Sequence, residues 1–130
     1  MTRPALEAAN RAEAIARLND LARRAMGLAC TAIATSGFRA LPLNDQSRVR
    51  ELIETFDAFT PDNDPHGERD FGAVYQDASG NWTTQRPRNP SETVFWKIDC
   101  YDRNLEWASD DPANPAITRR VLTIMLAEEY

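Results

Sequence analysis

Only one stretch of this chain brings acids and a histidine together at spacings that chemistry could use. Phe56–Gly72, reading FDAFTPDNDPHGERDFG, packs four aspartates, one glutamate and the sole histidine into seventeen residues. Asp62, Asp64, Glu68 and Asp70 offer hard oxygen donors, the type that calcium and magnesium take. Asp62-Asn63-Asp64-Pro65-His66-Gly67 opens like an EF-hand loop, with acids at the first and third positions and glycine at the sixth. The register then fails. His66 holds the fifth position, and Ala73 holds the twelfth, where a glutamate is required. A looser calcium or magnesium site on Asp62, Asp64, Glu68 and Asp70, serving a hydrolase, is the metal alternative. His66 beside Asp64 or Asp70 is the alternative acid–base pair, because imidazole titrates near neutrality unaided.

The chain supplies no obvious nucleophile for such a site. There is no GxSxG, Cys30 and Cys100 lie in apolar runs, and Ser79 and Ser91 stand in loops. Glycine-rich phosphate loops and dinucleotide fingerprints are absent as well. The competing reading is a rigid turn. Prolines and Asx residues from Thr60 to Pro65 dictate successive turns, with aspartates accepting from free backbone N–H groups. That reading, with no catalytic residue, metal or cofactor, is the one adopted.

A second group lies on a strand. Thr93–Tyr101, TVFWKIDCY, alternates with period two: Val94, Trp96, Ile98 and Cys100 share an apolar face, and Phe95, Lys97, Asp99 and Tyr101 share the other. An exposed mixed aromatic stripe is a docking surface. The favoured alternative has the Phe56–Gly72 loop covering it, with Lys97 paired to a loop aspartate. Asp62, Asp64, His66 and Glu68 join Phe95, Lys97, Asp99 and Tyr101 as the expected binding surface.

These groups need elements to hold them. Residues 4–26 predict a helix with the stripe Ile15, Leu18, Ala22, Ala25 and Met26, frayed over its alanine-rich beginning in residues 1–12. Leu28–Thr35 predicts a strand, Ser36-Gly37 a turn, and residues 44–57 a helix capped by Asn44. Strands follow at residues 70–76, 82–85, 93–101 and 105–108, with a turn at residues 77–81 and a loop at residues 86–90. A last helix is expected from Pro115 to Tyr130, capped by Asn114 and burying Ile117, Val121, Leu122, Ile124 and Met125. Hairpin-like links make the sheet mainly antiparallel, with four to five strands and about three helices on one face, which is α+β.

At 130 residues the chain reads as a single domain able to bury a core without staples. Its two cysteines show no CxxC spacing and read as reduced thiols of a cytoplasmic protein. No apolar run is long enough to span a bilayer, and the N-terminus has no signal-peptide core. Net charge is −5, concentrated in residues 51–111, where fourteen acids oppose five bases. Arg23-Arg24 and Arg119-Arg120 are the densest basic pairs and read as solvated helix faces, so direct nucleic-acid binding is not expected.

The blocks FDAFTPDNDPHGERDFG, VFWKIDCYDRNLEWAS and DPANPAITRRVLTIMLAEEY resemble a family of small bacterial proteins classed as a domain of unknown function. The resemblance runs from about Leu18 to Tyr130. It implies a proteobacterial origin, often on mobile or accessory DNA, and no known activity. The familiar form has histidine where Arg69 stands and tyrosine where Cys100 stands, which counts against a two-histidine metal site. Its link between the main strands is shorter, so by this resemblance residues 77–92 are an enlarged hairpin loop. Taken together, the sequence points to a small non-enzymatic module that binds a protein partner, with the metal-dependent hydrolase as the alternative.

Overall fold

The computed structural model describes residues 1–130. The elements in order are α1 (Arg3–Arg24), β1 (Thr31–Ala34), α2 (Ser36–Arg39), α3 (Leu43–Glu54), β2 (Phe71–Gln76), β3 (Trp82–Thr83), β4 (Glu92–Tyr101) and β5 (Arg119–Leu126). A 3₁₀ turn, Ala127–Glu129, follows β5. The fold is α+β, with one five-stranded sheet in the order β1-β5-β4-β2-β3. The β2–β3, β2–β4 and β4–β5 pairs are antiparallel, and β1 runs parallel to β5.

Local chemistry explains most of the elements. Thr2 caps α1 by accepting from the Ala5 N–H at 3.2 Å, and Pro4 sits in the first turn, where its missing donor costs nothing. The segment expected to fray is helical, though exposed on every side as far as Arg11. α3 begins at Leu43 after Pro42 and has no side-chain cap, so Asn44 does not cap it. Asp45 in its first turn accepts instead from the Trp82 indole N–H at 3.1 Å and ties β3 to the helix. Ser36-Gly37 is not a plain turn but the start of α2, whose Thr35 cap accepts from the Phe38 N–H.

The C-terminal segment overturns the sequence reading. Residues 119–126 form β5, paired with β1 on one side and β4 on the other, and no helix is present there. Val121, Leu122, Ile124, Met125 and Leu126 are buried from both faces of the sheet. A central strand reads as a near-continuous apolar run, which periodicity cannot separate from a buried helix. Asn114 serves a turn, accepting from the Ala116 N–H. Leu105–Ala108 is not a strand either. It makes a single bridge, Tyr101 to Ala108, after Leu105 reverses the chain at φ 60°.

The core lies between the helices and one sheet face. Ala22, Phe38, Val49, Ile53 and Phe56 pack onto Val74, Trp82, Val94, Trp96, Ile98, Leu122, Ile124 and Leu126. Trp96 is its centre. Phe56 and Phe59 meet its ring edge-on at 5.4 and 6.1 Å, and the Arg23 guanidinium carbon lies 5.5 Å from its centroid. Gly72 faces it from β2, where a Cβ would stand 2.5 Å from the indole nitrogen. Trp96 cannot retreat from that contact, so Gly72→Ala is expected to lower stability by about 1–3 kcal/mol, the usual cost of overpacking, read as a reduced urea midpoint.

Candidate functional site

The acidic loop is fixed by its own turns and by one arginine. Asn63 Oδ1 accepts from the Thr60 N–H at 2.8 Å, and its amide nitrogen donates to the Ala58 carbonyl at 2.8 Å. Asp64 Oδ1 accepts from the Arg69 N–H at 3.1 Å, the role expected of an aspartate in a tight turn. Arg69 takes a left-handed conformation, φ 51°, and reaches back to α1. Its guanidinium lies 2.9 Å from Asp20 Oδ2 and 3.3 Å from Glu13 Oε2. The Arg69 partnership holds the Glu13 carboxyl below the usual range, and Asp20 first, then Glu13, keeps the Arg69 guanidinium charged.

The sequence-predicted residues fall in three places. Asp64 and His66 line an open groove of about 450 Å³ between α1 and the loop, with Glu13 and Phe59. Asp62 is exposed outside it. Glu68, Asp70 and Asp99 line a smaller cleft of about 200 Å³ with Asn19 and Cys100. Desolvation pushes the Asp70 carboxyl up, Asp64 and Asp99 push the same way, and His66 opposes them. No hydrogen bond joins His66 to Asp64 or Asp70. No three His, Cys, Asp or Glu side chains stand where they could jointly hold a metal ion. Burial raises the Cys30 and Cys100 thiols, which keeps both protonated and poorly nucleophilic at neutral pH.

Phe95, Lys97, Asp99 and Tyr101 lie on the sheet face opposite the helices. The Phe56–Gly72 loop does not cover this face. Its Phe56 and Phe59 pack on Trp96 in the core instead. Lys97 pairs not with a loop aspartate but with Asp99, two residues on, at 2.8 Å. The register places Phe71, Ala73 and Tyr75 of β2 beside Lys97, Phe95 and Thr93 on the same face. The C-terminal Tyr130 ring sits edge-on to Phe71 and Phe95 at 5.9 and 5.8 Å. No helix packs there, and the side chains remain half-exposed.

Several residues that organise the site escaped the sequence reading. Arg23 and Arg120 are 1% and 7% exposed, not solvated, although Arg24 and Arg119 do face water. Arg23 donates to the Ile53 and Glu54 carbonyls at 3.0 and 3.2 Å and to Asp20 at 2.8 Å. Arg120 donates to Asn19 Oδ1 at 2.7 Å and to the Pro112 carbonyl, and Asn19 donates to the Glu68 carbonyl at 2.9 Å. A signal existed: Ile15, Asn19, Ala22, Arg23 and Met26 recur at helical spacing, so both polar residues lie on the apolar stripe. Glu129 was also missed. It accepts from Thr35 Oγ1 at 2.6 Å, Leu126 N–H at 2.9 Å and Gly37 N–H at 3.1 Å, which clamps the C-terminus to α2. Trp107, assigned to a strand by sequence, is 74% exposed in the loop after β4.

Fold and site together define a small α+β protein with a sheet covered by helices on one face and an acidic loop turned on itself. Residues 34–129 match the family described as Protein of unknown function (DUF3768), and the chain belongs to it. The match begins at the end of β1 rather than at Leu18, so α1 lies outside it. No curated protein and no solved structure matches the sequence. No helix is long and apolar enough to cross a membrane.

Two outcomes follow from this geometry. Arg69→Ala removes the strap between loop and α1 and is expected to cost about 1–3 kcal/mol, as for charged hydrogen bonds, with faster amide exchange over residues 57–70. The Glu129 carboxyl is held below its ordinary range, first by Thr35 and then by the Leu126 and Gly37 amides. Its contribution is therefore present above the unfolded carboxylate pKa and lost as pH falls through the lower folded value. The Gly37 and Leu126 amides should lose exchange protection on acidification in the wild type. In Glu129→Gln, that titration should vanish.

Proposed function

We propose that the protein is a non-enzymatic, cytoplasmic binding module that docks on a protein partner through the open face of its sheet. The observation that carries this reading is a five-stranded sheet whose helices all pack on one side. The other side offers Phe71, Tyr75, Phe95 and Tyr101, with Tyr130 at its margin, around the Lys97–Asp99 pair. Aromatic residues are enriched among the few that carry binding energy at interfaces, and half-buried rings lose little freedom on docking. Asp62, Asp64, His66 and Glu68 lie away from this face in the loop and add local negative charge, which favours a basic partner. An inhibitor carried on mobile DNA and acting on a basic host protein is one version of the proposal. Raised thiol pKa values and the lack of converging metal ligands weigh against the hydrolase alternative.

The test compares surface variants. Immobilised wild-type chain should retain a stoichiometric partner from its native host. Tyr75→Asp and Lys97→Glu should abolish that capture while circular dichroism stays unchanged. Leu43→Ala, on the helix side and 78% exposed, should not affect it. Capture that survives both sheet-face variants sinks the proposal. A thermal shift with Ca²⁺ or Mg²⁺ would favour the hydrolase reading instead, since a native-state ligand at one hundred times its Kd adds about 2.7 kcal/mol.

A further inference from the structure

We infer that the free edge of β1 pairs with β1 of a second copy of this chain, antiparallel across a two-fold axis. β1 is an edge strand, with β5 on one side and nothing on the other. Edge strands are commonly blunted by extreme shortness, charge, proline, a bulge or a covering element. The far edge is blunted in this way: β3 is two residues long, and a loop carrying Pro87 and Pro90 follows it. β1, at four residues, is twice as long and carries no charge, no proline and no covering strand. Thr31, Ala32 and Ile33 are exposed, and Leu28 ahead of them is 94% exposed. Ala25–Phe38 is fourteen residues without a charge, the longest such run in the chain.

The backbone pattern fixes which groups are free. The Thr35 N–H donates to the Ile124 carbonyl at 3.0 Å. Bonded residues alternate along a parallel strand, so Thr31 and Ile33 also turn to β5, while Ala32 and Ala34 turn their N–H and C=O to the open edge. An antiparallel two-fold pair centred on Ile33 sets Ala32 of each copy opposite Ala34 of the other, as hydrogen-bonded pairs. It also sets the two Ile33 side chains, each 48% exposed, against each other at the close-spaced position.

Charge selects a second copy as the occupant. The chain carries −5, so most self-contacts would set like charges together. This edge brings no charge to the pairing line, and small side chains at Thr31, Ala32 and Ala34 let two backbones approach without clash. A closed two-fold pair satisfies both edges at once and leaves no strand end to propagate.

Light scattering and sedimentation of the full chain, from micromolar to millimolar, test the proposal. The wild type should be a concentration-dependent dimer, because so short an edge lies at the small end of specific interfaces. Ala32→Pro removes an outward N–H and leaves the bonds to β5 intact, so it should yield a monomer with an unchanged circular dichroism spectrum. Should that variant unfold, Ile33→Lys sets like charges across the axis and must dissociate the dimer. Under copper-phenanthroline oxidation, Ile33→Cys should give a 33-to-33 intermolecular disulfide by mass spectrometry, two thiols losing two electrons and two protons to the oxidant. A wild type that remains monomeric throughout, or a dimer undiminished in folded Ala32→Pro or Ile33→Lys, overturns it.

Discussion

One buried cation organises this fold. The Arg23 guanidinium sits beneath Trp96 and Phe59, with its carbon 5.5 and 5.6 Å from their ring centroids. It caps the C-terminal carbonyls of α3, where the helix dipole is negative and no basic residue stands in the last turn. Withdrawing such a charge from water costs several kcal/mol even after relaxation. Burial indeed lowers the Arg23 pKa, and Asp20 opposes that shift. Two carbonyls, one carboxylate and two aromatic faces offset that cost, although the Nε hydrogen is left without a partner. This arrangement fixes α1, α3 and β4 relative to one another in a single junction.

The same junction determines what the acidic loop can be. Asp20 serves both Arg23 and Arg69, so the loop is strapped to α1 by an ion pair continuous with the core. At its other end Phe56 and Phe59 are inserted against Trp96. A loop held at both ends has little freedom to gather its carboxylates around a common point. Asp64 is committed to a backbone amide, and Glu68 and Asp70 turn into a separate cleft. Asp64 thereby acts as a turn-former.

Placing all helices on one side leaves a sheet with two distinct surfaces. The covered face takes the large apolar residues, each contributing roughly 1.5–3 kcal/mol when fully buried. The open face keeps its aromatic rings by packing them on one another, as Phe71, Phe95 and Tyr130 do. Glu129 secures that arrangement by holding the chain end against Thr35 and Gly37, which places Tyr130 over the sheet. A Cβ at position 37 would stand 2.6 Å from the Glu129 carboxylate, so a larger residue there would push that carboxylate out of its clamp.

The sequence by itself determined what depends on neighbours along the chain. The period-two alternation of β4, the helical stripe of α1, the α3 pattern through Val49 and Ile53, and the turn chemistry of Thr60–Pro65 were all legible. The α+β class and a largely antiparallel sheet followed from them. Only the tertiary structure decided the rest. Whether VLTIML is a helix or a central strand turns on having a partner on both edges, which no local pattern encodes. Whether Arg23 and Arg120 face water or core turns on carbonyls, an amide and a carboxylate that converge only after folding. Whether loop acids become ligands turns on distances between side chains that the ion pair to Asp20 holds in place. Local propensity is a property of the strand or turn itself. Burial, pairing and convergence belong to the assembled chain, because each needs groups distant in sequence to arrive at one place.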